Sequence, residues 1–454
     1  MNKKQSTWLA VSLALFGPAF CAIQSAQAGF DLQSTTDTKD TSKDSAPATE
    51  EGNFSRKKFT ISGDVRLGYD DNPLAQPDHF TTFNAAGQRV TRDFDPDGSL
   101  FINADVGAQY ATATRRFSLA IAADVGVSYY FDREGRNYDV NGGLTLRASY
   151  KLTPRAFLQV SSYNAYVSQG DYGASNLTGF NTVLGNAGRT SADRNGDYFY
   201  TTDGIGLTYQ LAPRISLVTG GQFVAFAFED EPYSTVQDRI ELYFSEEFRY
   251  QLTRQLVLAG DYRFGYINYF SVNSDSYTHF VLGGFDYVFS PRLRGSIRAG
   301  AEFRSYVDAP SSADETSPYA EATINYSVSR RTNVSFVGRY GIEEGNLSSD
   351  VTKSNTVRLG LNVDHQITPR ISVYGGFYFT HSYYGTPVRN DPSLLTYASN
   401  NFNEETYDVS VGARYAITRN LAVEAGYTHT TVSSEVDVRE YDRNRYFGGL
   451  RFQF

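Results

Sequence analysis

Histidine and serine are the residue types from which hydrolytic enzymes build a nucleophile and its base. The sequence has neither a Gly-x-Ser-x-Gly motif nor two histidines at a metal-ligand spacing. Its five histidines are widely separated, at His79, His279, His365, His381 and His429. A phospholipase or protease would need one of them beside a serine or aspartate, and a sequence alone does not exclude such a meeting. The pattern favours a protein that is not an enzyme.

An acidic segment, Asp93–Gly98, matches the opening half of a calcium-binding loop. The carboxylates of Asp93, Asp95 and Asp97 could converge on a hard cation, and the glycine permits the sharp turn. Against this, Ala104 stands at the twelfth position, where such loops have glutamate. An ordinary acidic surface turn is the alternative. The sequence therefore gives a weak calcium candidate and predicts no other cofactor.

Arginines and acids that alternate with apolar residues form the third group. The arginines are Arg66, Arg147, Arg249, Arg263, Arg294, Arg298, Arg304, Arg339, Arg358, Arg414, Arg445 and Arg451, and the acids are Asp105, Asp124, Asp261 and Glu302. A guanidinium presents a fixed fork that binds carboxylate or phosphate at two points. Two interpretations stay open: the pairs brace a wet interior, or they form a charged ladder that selects solutes. Arg294, Arg298 and Arg304 share one face of one segment and give the clearest ladder.

The elements that carry these residues are long alternating segments. Between Leu256 and Phe264, for example, apolar side chains occupy the even positions, and Asp261 and Arg263 lie on the other face. The segments have about a dozen residues, which is far longer than the five or six of a usual strand. Strands of this length with one apolar face are typical of outer-membrane barrels.

A recurring short turn joins the predicted strands two by two into hairpins. It reads Tyr150-Lys-Leu-Thr-Pro-Arg155 in its clearest form and occurs eight times in all, looser copies included. Most intervals are about forty residues, the length of two strands with their connections. Counting on both sides of each turn predicts about eighteen strands in an all-β, antiparallel up-and-down transmembrane barrel. Both termini then lie at the end of the short turns, which should face the periplasm. The longest outer loops are predicted at 72–99, 169–197 and 385–402.

The two ends of the chain carry export signals. Residues 1–28 have the form of a signal peptide, 29–56 are polar and predict a disordered periplasmic leader, and 57–454 are predicted to form the barrel. The only cysteine, Cys21, lies in the signal, which excludes disulfides from the mature chain. The last strand alternates and stops on Phe454, as in the signal read by the barrel-assembly machinery, a predicted partner.

Charge and hydropathy exclude other classes. The net charge of the chain is −9, which argues against nucleic acid as a partner because phosphate binding needs clustered positive charge. No segment approaches the ~18 consecutive apolar residues of a membrane helix. A helical membrane protein is therefore not expected.

The segment Val65–Pro73 resembles the opening of the Putative beta-barrel porin 2 family, and the recurring Tyr-x-Leu-Thr-Pro-Arg turns resemble that family too. The resemblance covers residues 57–454. It implies a link to exopolysaccharide loci and a role in carrying polysaccharide across the outer membrane. It supplies no catalytic residue.

Taken together, these features predict a porin of the bacterial outer membrane. Its lumen would pass hydrophilic or anionic solutes by passive diffusion, with export of polysaccharide as an extension that the resemblance implies. Its predicted partners are outer-membrane lipid and small hydrophilic solutes or polysaccharide. A surface adhesin or a structural barrel without an open pore is the alternative.

Overall fold

A computed structural model gives the structure of the chain. It describes residues 59–77, 79–83, 89–93, 96–168, 197–229, 233–271, 275–307, 314–344, 353–385, 401–435 and 439–454. The predicted signal peptide and leader lie outside the described residues, so their assignments stay predictions. Most of the predicted loops 169–197 and 385–402 also lie outside them.

The described chain consists of twenty strands and one five-residue helix, α1 (Tyr233–Gln237). The strands are β1 (Phe59–Asp70), β2 (His79–Phe83), β3 (Arg89–Asp93), β4 (Ser99–Ala113), β5 (Phe117–Tyr130), β6 (Tyr138–Thr153), β7 (Ala156–Ser168), β8 (Asp197–Ala212), β9 (Ile215–Phe228), β10 (Arg239–Gln251), β11 (Leu256–Tyr269), β12 (Ser276–Ser290), β13 (Leu293–Tyr306), β14 (Glu315–Ser329), β15 (Thr332–Glu344), β16 (Lys353–Gln366), β17 (Ile371–Tyr384), β18 (Phe402–Ala416), β19 (Leu421–Ser434) and β20 (Tyr441–Gln453).

Eighteen of these strands form one closed antiparallel sheet, which confirms the predicted fold and strand count. Neighbours in sequence are neighbours in the sheet, and β1 closes the ring by pairing with β4 on one side and β20 on the other. The closing bonds include both backbone groups of the last residue: Phe454 N donates to Ile61 O at 2.8 Å, and Ile61 N donates to Phe454 O at 3.1 Å. Closure leaves no free sheet edge for lipid to meet.

Two elements were not predicted. The first long loop contains the hairpin β2–β3, which pairs from His79 opposite Asp93 to Phe83 opposite Arg89, and the loop after β9 contains α1. Each strand of the hairpin has five residues. Segments this short lack the long alternation by which the barrel strands are recognised, and the prediction therefore treated them as loop.

The recurring turn is explained by side-chain capping. A serine or threonine two residues before the arginine or its equivalent accepts that residue's backbone N–H, as Thr153 does from Arg155 at 3.2 Å and Ser290 from Arg292 at 3.2 Å. The same bond recurs at Thr114, Thr253, Ser329, Thr368 and Thr418. A hydroxyl that bonds the backbone two residues on stabilises a tight turn. This local bond explains why a serine or threonine recurs two residues before the arginine in the turn motif.

The two faces of the sheet differ as the alternation predicts. Large apolar side chains such as Leu67, Val281 and Leu450 point outward and are at least half exposed. Outward tyrosines stand just before the short turns, among them Tyr150, Tyr209, Tyr326 and Tyr415. Aromatic girdles of this kind mark the membrane interfaces of a barrel. The inner face carries the polar and charged residues described next.

Candidate functional site: the inner wall of the barrel

Side chains on the inner face reach one another across intervening strands. Arg298 on β13 bonds Glu247 on β10, and Arg263 on β11 bonds Glu321 on β14. These bonds pass over the two strands between the partners, on the concave inner side of the wall. Residues that are paired directly across neighbouring strands lie on the same face of the sheet. With this register, the structure places all sixteen residues predicted to line a pore on the inner face.

The most enclosed group, called the Tyr319 cluster, comprises Asp261, Arg263, Tyr319, Glu321 and Arg339. The guanidinium of Arg263 donates to Asp261 at 2.7 Å and to both oxygens of Glu321, at 2.7 and 3.1 Å. The Tyr319 hydroxyl donates to Glu321 at 2.7 Å. Arg263 and Arg339 flank the tyrosine ring at 5.8 and 5.7 Å from its centroid.

These side chains are almost removed from solvent, with exposures of 2% for Arg263 and 1% for Tyr319. A buried charge is tolerated only when it is paired and hydrogen-bonded. The cluster therefore contributes packing as well as electrostatics on the inner face of β11, β14 and β15.

A second group lies nearer the short-turn end. Arg298 donates to Glu247 at 2.8 Å and pairs with Asp286 at 2.9 Å, and Arg249 also pairs with Glu247. One carboxylate thus serves two arginines that come from strands three apart. Arg298 belongs to the predicted ladder on β13, and here its charge is neutralised by two acids.

Above this group, the end of β15 is held by acids and arginines. Glu302, which is fully buried, pairs with Arg304 at 3.3 Å and accepts the backbone N–H of Ile342 at 3.1 Å. Glu343 accepts bonds from Arg339 at 3.1 Å and Arg358 at 2.6 Å. Pairing between β14 and β15 stops at Tyr340, and beyond that point the Glu302 carboxylate takes up the backbone N–H of Ile342.

The closing strands carry two more groups. Glu424 lies within 3.2 Å of Arg414, 3.7 Å of Arg66 and 3.9 Å of Arg451. Arg66 also pairs with Asp105 at 3.6 Å. At the loop end the buried Asp70 binds Arg443 at 2.6 Å and Arg445 at 3.3 Å. Four of the five groups, all but the Tyr319 cluster, therefore contain a carboxylate that pairs with two or more arginines.

Several predicted residues stand apart from these groups. Among the described residues, Arg294 of the predicted ladder and Asp124 on β5 make no ion pair. Arg147 lies half-buried on the inner face of β6. The sequence ladder Arg294–Arg298–Arg304 is thus one isolated cation and two members of separate ion-pair groups, a distinction that residue spacing does not reveal.

Part of the inner wall has no charge. Within the described strands β7 to β9, the inner face carries only neutral residues, including Ser161, Thr202 and Gln222. Toward the loop end it becomes an apolar cluster of Tyr198, Val224, Phe226 and Phe228. We call this face the neutral sector, and the inner face of β10 to β20 with β1 the ionic sector.

Arg239 joins the two sectors. Its guanidinium lies 4.2 Å from the ring centroid of Phe226 and donates to Glu241 at 2.9 Å. Arg239, Asp70 and Glu343 are functional candidates that the site prediction missed. Their inward alternation was the signal available, since each lies within a predicted strand and has the same parity as the inward residues of that strand.

At the loop end of β6 to β8, Arg136 crosses from the loop after β5 to Asp197. Its guanidinium donates to Asp197 at 2.7 Å, and this hydrogen bond raises the pKa of Arg136 above its ordinary value. Arg133 in the same loop donates to Asp139 at 2.6 Å. The loop is therefore fastened to the barrel rim by permanently charged contacts.

The calcium candidate stays a prediction. Asp95 and the side chain of Asp93 lie outside the described residues, and Asp97 is exposed. The part of the chain that the structure describes contains no group of three histidine, cysteine or acidic side chains arranged to hold a metal ion. Within the same part, no helix is long and apolar enough to cross a membrane.

Comparison with solved structures finds outer-membrane barrels. Acinetobacter baumannii OccAB4 is 12% identical, with 88% of this chain and 99% of that chain covered and a TM-score of 0.41. Pseudomonas aeruginosa OpdK with vanillate is 9% identical, with 87% and 99% covered and a TM-score of 0.43. A BenF-like porin from Pseudomonas fluorescens Pf-5 is 8% identical, with 87% and 98% covered and a TM-score of 0.41. Likeness this distant says nothing about solutes, and the curated proteins yield no match.

The closed barrel with a polar inner face is that of an outer-membrane β-barrel of the porin class. Residues 266–454, from the end of β11 to the C-terminus, match the model of the Putative beta-barrel porin 2 family. This match confirms the family resemblance for the C-terminal part of the chain. The segment Val65–Pro73, on which the resemblance was first drawn, lies outside the matched residues. A match to a porin-family model over this part of the chain indicates a channel for small solutes in the bacterial outer membrane.

Proposed function

We propose that the protein is a channel through which small hydrophilic solutes cross the outer membrane by passive diffusion. The observation that carries this proposal is the closed ring of eighteen strands with a polar and ionic inner face. Barrels of sixteen to eighteen strands leave an aqueous channel, whereas about eight strands are filled by side chains.

The inner wall supports passage of solutes of either sign. Nearly all arginines of the ionic sector are bonded to carboxylates, as in the Tyr319 cluster and around Glu247 and Glu424. A bonded pair presents a dipole instead of a net charge, so its attraction for a free ion decays faster with distance. Of the hydrophilic or anionic solutes that the arginine pattern predicts, this pairing favours hydrophilic solutes in general, because a preference for anions would need more unpaired arginines.

Planar-bilayer recording of the refolded full-length protein tests the proposal. We expect stepwise single-channel currents in potassium chloride and a small reversal potential across a salt gradient. The matched control is Ser161→Trp on the neutral sector, which fills lumen space without altering charge and should lower the conductance. Membranes that stay closed after verified insertion would reject an open channel and favour the alternative of an adhesin or structural barrel.

Export of polysaccharide stays a prediction that only the family resemblance carries. Recording in the presence of acidic and neutral polysaccharides addresses it, since a polymer that enters the lumen interrupts the current in a length-dependent manner.

We also propose that Phe454 and its strand are read by the barrel-assembly machinery. Phe454→Ala should slow insertion in cells while leaving refolding into vesicles unchanged, because the signal and the closing backbone bonds are separable.

A further inference from the structure

The eight short turns form a ring of positive charge at one end of the barrel. Between the two strands that it joins, every turn contains at least one arginine, and none contains an aspartate, glutamate or lysine. These residues, here called the arginine crown, are Arg115, Arg116, Arg155, Arg214, Arg254, Arg292, Arg330, Arg331, Arg370 and Arg419. The chain as a whole is acidic, with a net charge of −9, so this concentration of one sign at one end is not a consequence of composition.

The side chains of the crown are available for binding. All of them are exposed, and among the described residues none forms an ion pair. This contrasts with the ionic sector inside the barrel, where Arg263 and Arg298 each bond two carboxylates. Electrostatic bracing of the fold therefore does not account for the crown.

The backbone fixes the crown beside the outward tyrosines. The carbonyl of Arg155 accepts the backbone N–H of Gln210, which follows the exposed Tyr209 of the next hairpin. The same link joins Arg214 to Gln251, Arg292 to Ser327 and Arg370 to Ala416. In most turns the backbone N–H of the arginine is also bonded, to the serine or threonine hydroxyl two residues before it. Both the N–H and the carbonyl of the arginine are then held, and only its guanidinium is free.

This geometry places the guanidinium groups at the level of lipid headgroups. Exposed tyrosines of a barrel lie at the membrane interface, and the crown arginines follow them by about five residues at the water side. A guanidinium binds phosphate oxygens at two points. The crown also runs around the whole perimeter, which matches a partner present on every side of the barrel and not one docked at a single position.

We propose that the arginine crown binds the phosphate groups of anionic phospholipids in the leaflet that faces the periplasm. The crown thereby sets the depth and vertical position of the barrel in the membrane. The binding is independent of conduction, since these arginines lie outside the lumen.

A single tryptophan reports the neighbouring lipid. Apart from Trp8 in the predicted signal, the sequence has no tryptophan. The full-length barrel with Tyr209→Trp is refolded into vesicles that mix phosphatidylcholine with brominated phosphatidylglycerol or, in parallel, brominated phosphatidylcholine, and quenching gives the relative binding constant. We expect a preference for phosphatidylglycerol of about fivefold, falling toward one in 1 M potassium chloride. The matched reporter Phe199→Trp, at the other end of the same strand, should show no preference.

Two variants test the arginines themselves. Replacing Arg155, Arg214, Arg292 and Arg370 together by glutamine should abolish most of the preference, and replacement of the same four by lysine should retain part of it. Since all four lie in Pro-Arg turns at the surface, the barrel should still refold, and this is checked by heat-modified electrophoretic mobility. A variant that fails to refold is replaced by the pair Arg155→Gln and Arg214→Gln, the crown arginines linked to Tyr209 and to the next hairpin.

Three outcomes would overturn the proposal. The first is an equal preference at Tyr209→Trp and Phe199→Trp, and the second is a preference that survives the glutamine variant. The third is loss of the preference in 50 mM inorganic phosphate but not in potassium chloride of equal ionic strength, which would identify free phosphate as the ligand. None of these results depends on whether the channel conducts.

Discussion

The neutral and ionic sectors line the same barrel, yet they fill their space by different chemistry. In the ionic sector the Tyr319 cluster is enclosed by directional bonds, with Arg263 tied to Asp261 and Glu321. In the neutral sector Tyr198, Val224 and Phe226 are similarly buried and pack together in an apolar cluster. The two sectors meet where Arg239 stacks on Phe226.

The difference shows what each sector tolerates. Apolar packing requires volume and accepts many substitutions of similar size. A buried ion pair requires its partner, because removal of one member leaves an uncompensated charge. The stability of the barrel should therefore be more sensitive to substitutions in the ionic sector than to substitutions in the neutral sector. The ionic sector also largely coincides with residues 266–454, which match the porin family model.

The largest expected effect is on stability when a central cation is lost. Arg263→Met leaves Asp261 and Glu321 without their main partner and should lower the free energy of unfolding by about 3–5 kcal/mol. The control Gln222→Met removes one neutral hydrogen bond, to Thr202 at 2.9 Å, and should cost about 1 kcal/mol. Urea unfolding in lipid vesicles measures both. Equal losses at the two positions would erase the distinction between the sectors.

A smaller loss is expected from one hydroxyl. Tyr319→Phe removes a buried bond to the Glu321 carboxylate and should cost about 1.5–3 kcal/mol. Ser161→Ala removes a half-buried hydroxyl of the neutral sector and should stay within about 0.5 kcal/mol. The same unfolding measurement applies. A neutral result for Tyr319→Phe would mean that Arg263 alone holds the cluster.

Ion selectivity should respond where a pair is broken inside the lumen. Arg298→Gln leaves Asp286 without its arginine and halves the compensation of Glu247, so cations should be favoured. One unit charge at 4 Å in water is worth about 1 kcal/mol, which sets an upper limit of about fivefold on the permeability ratio. Reversal potentials across a salt gradient measure it, with Arg298→Lys as the charge-preserving control. A shift toward anions would contradict the assigned pairing.

The smallest effects belong to the isolated charges. Asp124→Asn should move selectivity toward anions and Arg294→Gln toward cations, each by about twofold or less, because Asp124 is exposed and Arg294 only half-buried, so that water and salt screen both charges. Both should vanish at high ionic strength, where the Debye length falls to about 3 Å. If either variant exceeds the effect of Arg298→Gln, the isolated charges would be the selective elements of the channel.

Much of this molecule follows from local sequence. The alternation of side chains fixes which residues share a face, and the closed sheet has the eighteen strands that the alternation and the turns predict. The turns follow from a serine or threonine hydroxyl that bonds the backbone two residues on. Both effects act within a few residues, so they are readable without a tertiary structure.

The sequence by itself determined the barrel, its strand number, its inner and outer faces and the arginine-bearing turns. Only the tertiary structure decided which inner residues meet, because Arg298 and Glu247 are 51 residues apart in sequence and lie on strands three apart in the wall. Such contacts depend on the curvature and register of the closed sheet, which no local pattern encodes. For that reason the predicted arginine ladder is one isolated arginine and two separate ion-pair groups, and a neutral sector lies beside them.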